Sequence, residues 1–124
     1  MLRGLENISV GDDVYFAPGT VLLAGKSVTI GDGVQLAFYS VVTDGNHTII
    51  DGSYRFGPRA ESDVVISKGT WIGAHSTVVA GVYIGEGVLV GANSVVTRNL
   101  PSHCFAAGVP ATVRRVGSDR GLDS

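Results

Sequence analysis

A chain of 124 residues holds one hydrophobic core, because a separate second core needs roughly another hundred residues. Nine Lys and Arg against eleven Asp and Glu leave a formal net charge of −2 with no basic stripe, which argues against nucleic acid as a partner. The single cysteine, Cys104, excludes an intrachain disulfide and a cysteine-based zinc knuckle, so stability is expected from packing or oligomerisation.

Eighteen glycines beside abundant Val, Ile and Leu point to tight turns around an aliphatic core. No apolar run approaches the roughly 20 residues of a membrane span. Met1 to Asn7 lacks the charged and apolar regions of a secretory leader, so a cytoplasmic chain without a membrane span is expected.

In chain order, Val10, Phe16, Leu22 and Val28 recur every six residues. Ile30, Leu36 and Val42 keep the period with the phase moved by two, which predicts a two-residue insertion near Val28. The pattern then stops. The stretch from His47 to Asp63 contains Gly57-Pro58, mixed charges and the aromatics Tyr54 and Phe56, and it reads as an excursion loop over 46–63. A long loop in an otherwise regular domain tends to be functional, so the site is expected beside it.

Beyond the loop, Ile66, Ile72, Val78, Ile84, Val90 and Val96 recur every six residues without a break. Turn-forming residues follow the aliphatic ones, as in Ile30-Gly31-Asp32-Gly33, Ile72-Gly73-Ala74-His75 and Ile84-Gly85-Glu86-Gly87. Four positions after each aliphatic residue stands a small or β-branched one, among them Val34, Ser40, Thr70, Ser76, Val82, Val88 and Ser94. Arg98 to Val116 reads as a closing segment, with turns at Leu100-Pro101 and at Gly108-Val109-Pro110-Ala111 and a basic strand at Val113-Arg114-Arg115-Val116. Residues 117–124 are expected as a flexible tail.

Period six is neither helical nor simple alternation. If three units make one triangular turn, an aliphatic residue points inward on every face and stacks on its equivalent about 4.8 Å away. The expected fold is all-β, a single parallel β-helix domain with one excursion loop.

Three motifs standing in order, Thr70-Trp71-Ile72-Gly73, Val90-Gly91-Ala92-Asn93-Ser94-Val95-Val96-Thr97 and Ala107-Gly108-Val109-Pro110-Ala111, resemble the maltose/galactoside O-acetyltransferases of the hexapeptide-repeat family. The resemblance covers residues 28 to 116. It implies a left-handed coil, a homotrimer, and acetyl-CoA lying between neighbouring prisms. It further implies transfer of the acetyl group to a hydroxyl of a sugar or similar small acceptor, with His47 as general base. Trp71, Ala74, Ala92, Thr97 and Arg98 are implied along the CoA groove, with Gly108, Pro110, Arg114 and Arg115 near the nucleotide end. Ala74 stands where relatives often carry serine, and Ala17 where they carry asparagine.

The chemistry follows from general principles. An alcohol attacks a thioester slowly unless a neutral imidazole takes its proton during attack, and direct transfer then needs only alignment and donors for the developing oxyanion. The plain alternative for His47 is an exposed loop histidine, and Asp44 is the nearby acid that could orient it. Trp71 reads either as interface packing or as a pocket wall. Arg98, Arg114 and Arg115 read either as solubilising charges or as phosphate ligands. His75 and His103 are expected facing solvent or an interface. Cys104 lacks a neighbouring base to make it a nucleophile.

Two rival functions share the fold. A zinc enzyme of the γ-carbonic-anhydrase type uses three histidines, and this chain has three, but their spacing lacks a closely placed pair, so no metal is expected. A non-catalytic β-solenoid scaffold needs neither a loop histidine nor the closing segment. An amine in place of the hydroxyl acceptor also stays open.

Overall fold

The computed structural model describes residues 1–118 and 120. Of the tail expected over 117–124, residues 119 and 121–124 lie outside the described residues.

Strand β1 (Leu2–Arg3) and a 3-10 turn at Leu5–Asn7 precede the first coil, β2 (Ile8–Val10), β3 (Tyr15–Phe16) and β4 (Val21–Leu23). The second coil is β5 (Val28–Ile30), β6 (Gln35–Leu36) and β7 (Val41–Thr43). Here the hairpin β8 (Gly45–His47) and β9 (Arg59–Glu61) leaves the stack. The third coil is β10 (Val64–Ile66), β11 (Trp71–Ile72) and β12 (Thr77–Val78), and the fourth is β13 (Tyr83–Ile84), β14 (Leu89–Val90) and β15 (Val95–Val96). A fifth, partial coil ends in β16 (Cys104–Gly108) and β17 (Ala111–Val116).

Strands stack into three parallel faces, giving a triangular parallel β-helix. The first face holds β2, β5, β10 and β13; the second holds β3, β6, β11, β14 and β16, with β17 added antiparallel; the third holds β1, β4, β7, β12 and β15. Register aligns the inward residues in columns. Val10, Ile30, Ile66, Ile84 and Leu100 stack on the first face, Phe16, Leu36, Ile72, Val90 and Ala106 on the second, and Leu22, Val42, Val78 and Val96 on the third. Three such columns fill the interior, and removal of their apolar surface from water is the main stabilising term.

The phase shift comes from two extra residues near Val28, as expected, but Val28 itself sits in a different row. Val28 does not continue the Val10 series; it pairs with Ile8 and Val64 and is buried two residues ahead of the inward Ile30. The two extra residues lie in the turn between Leu22 and Val28. Conversely, only four residues separate Val96 from Leu100, which bridges Ile84, so the last coil is two residues short at the same edge.

The small residues four places after each aliphatic one form a second buried row. Val34, Ser40, Thr70, Ser76, Val82, Val88 and Ser94 are all buried. Hydroxyls among them take over where the backbone ladder lapses at the corners. Thr70 Oγ1 donates to Gly85 O at 2.9 Å and accepts from Val88 N at 3.2 Å. Ser76 Oγ donates to Gly91 O at 2.9 Å and accepts from Ser94 N at 3.2 Å, while Ser94 Oγ accepts from Gly108 N at 3.1 Å. Ser40 Oγ, in the same row, has no hydrogen-bond partner among the described residues.

The interruption between the second and third coils is a hairpin, with Gly45 opposite Glu61 and His47 opposite Arg59. Its tip bridges Ile50 and Ser53 around Asp51 and Gly52, whose φ values of 49° and 75° are those of a type I′ turn. The Asp-Gly pair is a strong hairpin signal, and reading the stretch as an irregular loop overlooked it.

Candidate active site

The three faces meet at three edges, and the edges divide the predicted site residues. The edge between the second and third faces carries Ala17, Ala37, Ala74, Ala92 and Gly108, one corner from each coil in turn. A groove of about 460 Å³ runs along it, walled by Tyr15, Phe38, Trp71, Leu89 and Phe105 and floored by the corner residues of the first four coils. Trp71, Ala74 and Ala92 therefore converge on one surface. The floor is open because the corners are small. A Cβ on Gly73 would stand 2.6 Å from Val90 O, so only glycine lets the third and fourth coils close there.

Tyr15, Leu89 and Phe105 were not singled out from the sequence. Each immediately precedes an inward residue of the second face, as Trp71 precedes Ile72, so the same six-residue period read one position earlier finds them. Alongside the groove, Tyr39 and His75 hold φ near 58° and 57° and stack with ring centroids 5.3 Å apart. His75 is exposed, at the rim and not in the wall.

Gly108 and Pro110 form the turn above this groove, with a cis Val109-Pro110 bond. Nε and Nη2 of Arg114 donate to Ala107 O at 3.3 and 3.2 Å. The Arg115 guanidinium sits 5.7 Å from the centroid of Phe105. These four residues thus crown the same edge as Trp71, Ala74 and Ala92.

His47, Thr97 and Arg98 do not join them. All three lie on the edge between the third and first faces, His47 on the hairpin between the second and third coils and Thr97 and Arg98 in the turn after the fourth. His47 is exposed and lines a cleft of about 390 Å³ with Tyr54 and Arg55.

Asp44 does not orient His47. Its carboxylate is buried and accepts the backbone N–H groups of Gly25 at 2.9 Å, Lys26 at 2.7 Å and Ser27 at 2.8 Å. Burial pushes this carboxyl up, but the hydrogen bonds from Gly25, Lys26 and Ser27 outweigh it and hold it below its ordinary value. Asp44 is the bolt at the foot of the hairpin.

The three histidines stand on three different edges, since His103 lies in a first-to-second corner beside Lys68 and Glu86. Among the described residues no group of three His, Cys, Asp or Glu is placed to hold a metal ion, and no helix is long and apolar enough to cross a membrane. Cys104 is buried in the second-face row, where burial pushes its thiol up and away from the reactive thiolate.

Comparison with known proteins agrees with this architecture. Residues 63–98 match the bacterial transferase hexapeptide (six repeats) model. The chain is 32% identical over 115 residues to galactoside O-acetyltransferase of Escherichia coli strain K12, covering 93% of this chain and 57% of that protein. It superposes with a TM-score of 0.87 and 28% identity on a hexapeptide-repeat-containing acetyltransferase of Vibrio cholerae O1 biovar eltor complexed with acetyl coenzyme A, over 95% of this chain and 64% of that one. A maltose O-acetyltransferase from Clostridium difficile 630 gives a TM-score of 0.84 at 29% identity, over 95% of this chain and 65% of that one. The chain thus spans less than two thirds of the length of these relatives. Residues 63–98 thus carry the hexapeptide repeat of bacterial transferases, and the coil stack is that of the hexapeptide-repeat acetyltransferases that the chain resembles.

Proposed function

We propose that the chain is an acetyl-CoA-dependent O-acetyltransferase that works as a homotrimer, with each active site shared between two copies. The observation that carries this reading is the division of the site. The apolar groove with Trp71, Ala74 and Ala92 lies on one edge, and His47 with Thr97 and Arg98 lies on another. A cyclic assembly sets one copy's edge against the other edge of its neighbour, and three-fold closure repeats that contact at every subunit. The outward residues of the third face suit such a contact, because Val21, Leu23, Val41, Thr77 and Val95 are aliphatic or β-branched and half-buried already.

In this arrangement the pantetheine arm lies on the alanine and glycine corners, whose lack of bulk lets it approach the backbone. Gly108, Pro110, Arg114 and Arg115 then stand at the nucleotide end, and the guanidinium groups suit the phosphates there. A relative of the same fold has been seen complexed with acetyl coenzyme A.

His47 takes the proton of the acceptor hydroxyl as its oxygen bonds to the thioester carbon. The carbonyl oxygen becomes an oxyanion, and the carbon–sulfur bond then breaks to re-form the carbonyl. The proton on His47 passes to the departing thiolate, leaving an acetyl ester and free CoA. Ala74 brings no hydroxyl to the oxyanion. The backbone N–H groups of Ala74 and Ala92, which take no part in the coil ladder, are the donors available at that edge. The acceptor is a small molecule with a sugar-like hydroxyl, in keeping with the galactoside and maltose enzymes that the chain resembles.

The reading is tested by thiol release from acetyl-CoA over a panel of mono- and disaccharides, with light scattering on the same sample. Acceptor-dependent release by a trimer is expected. A monomeric protein, or one that neither binds acetyl-CoA nor releases thiol with any acceptor, overturns it.

A further inference from the structure

Beneath the hairpin, on the edge between the third and first faces, lies a small cleft of about 200 Å³ lined by Arg3, Leu23, Ala24, Gly25 and Arg59. Its two arginines arrive from different elements. Arg3 ends β1, paired with Leu23 of β4, and Arg59 opens β9. Among the described residues neither has a carboxylate within 4.0 Å, although Lys26 nearby pairs with Asp63 at 3.7 Å.

The backbone makes room for Arg59. A Cβ on Gly45 would stand 2.1 Å from Arg59 Nη2, so the guanidinium occupies the space of the missing side chain. Gly45 precedes His47 by two residues in β8, and His47 is the direct cross-strand partner of Arg59. Residues so related share one side of the hairpin. Arg59 therefore stands on the same side of the hairpin as the proposed base, with its guanidinium over Gly45.

Among the described residues no acid forms an ion pair with either arginine. Both oxygens of Asp44 are engaged by backbone N–H groups. Glu61 lies against Gly25, with its carboxylate outside ion-pair distance of either arginine. Two guanidinium groups lining one cleft, with no ion-pair partner among the described residues, repel each other and present a surplus of donors, a situation that a bound oxyanion relieves.

We propose that Arg3 and Arg59 hold a phosphate group of the acceptor, which makes the acceptor a phosphorylated sugar. Two planar forks offer more donors than a flat carboxylate can accept from both, whereas a tetrahedral phosphate takes hydrogen bonds from each. The assignment to the acceptor rests on His47 being the base of the proposed transfer. CoA's own phosphates are served elsewhere, because Arg114 and Arg115 lie about five coil spacings, roughly 24 Å, further along the prism axis.

The test is calorimetric titration of the intact protein with inorganic phosphate, glucose 1-phosphate, glucuronate and glucose, without acetyl-CoA. Saturable binding of both phosphates is expected, with affinity falling at least tenfold in Arg3→Gln and in Arg59→Gln. Gly45→Ala, which keeps both charges but fills the seat of Arg59, is expected to show the same loss. Arg59→Lys should fall between, and Lys68→Gln on the opposite edge should bind as the wild type does. Acetyl-CoA affinity should be the same in all of these variants. No saturable phosphate binding, undiminished binding in Arg59→Gln, glucuronate binding as tightly as glucose 1-phosphate, or phosphate competing with acetyl-CoA would each overturn the proposal. Failure of acetyl-CoA to bind while phosphate still binds would instead remove the acetyltransferase reading and leave the cleft.

Discussion

The carboxylate of Asp44 accepts the backbone N–H of Lys26 at 2.7 Å, and so ties the start of the hairpin to the turn one coil below. Gly25 and Ser27 donate to the same group. Replacement by alanine strands three inward-facing donors, for which a loss of about 3 kcal/mol is expected. Denaturant unfolding of Asp44→Ala checks the value, and a loss below about 1 kcal/mol would contradict the role given to it.

This pairing also sets a pH dependence. The folded carboxyl is held below its ordinary value, so the unfolded chain binds the proton more readily. Its contribution is fully present above the unfolded value of about 3.9 and is lost as pH falls through the folded value. Stability should decline on acidification below about pH 4, and the slope should flatten in Asp44→Asn.

Two serines of one buried row should respond in opposite directions. Ser76 Oγ joins Gly91 O to Ser94 N, so Ser76→Ala removes two hydrogen bonds and should cost about 1–2 kcal/mol. Ser40 Oγ is buried without a partner among the described residues, so Ser40→Ala removes an unsatisfied group and should raise stability by about 1 kcal/mol. Paired denaturant titrations read both, and equal losses in the two variants would contradict the hydrogen-bond assignment.

His47 is exposed on the hairpin, and its side chain makes no hydrogen bond among the described residues. His47→Ala should therefore fold normally and bind acetyl-CoA as the wild type does. Turnover should fall by roughly two to four orders of magnitude, because proton removal in the transition state is lost. Steady-state kinetics at saturating acetyl-CoA measure this, and unchanged kcat would take His47 out of the mechanism.

Sharing of the site between copies predicts complementation. Ala92→Trp fills the groove on one edge and His47→Ala disables the other, so each variant alone should be inactive. In trimers assembled at random from equal amounts of both, about a quarter of the contacts pair two intact edges. Co-expressed protein should recover about a quarter of wild-type activity, whereas recovery below a few per cent would show that each copy works alone.

Much of the fold was legible in the sequence because the repeat is strict. Ile66 to Val96 fall in their columns, and the inward residue of nearly every strand was named from spacing alone. Errors arose where local geometry bends the period. Val28 belongs to the second inward row, a distinction that spacing cannot make when both rows carry valine. Asp44 is close enough to His47 in sequence to be a candidate orienting acid, yet the chain turns between them and the carboxylate faces the coil below.

The geometry of the candidate site was legible in part. Trp71, Ala74 and Ala92 converge because corner positions recur with the coil, whereas the separation of His47, Thr97 and Arg98 onto another edge depends on which face precedes each turn. Six-residue spacing does not reveal that until the faces are assigned. The pairing of Arg3 with Arg59 joins residues 56 positions apart through the hairpin and β1, and no local pattern signals it.

The central claim, that an edge groove completed by a second copy takes acetyl-CoA, is tested most directly by calorimetric titration of acetyl-CoA into the wild-type protein and into Ala92→Trp. Saturable binding near one per subunit in the wild type, lost in Ala92→Trp with the assembly intact, is the result predicted. No binding to the wild type, or equal binding to both proteins, would contradict the claim.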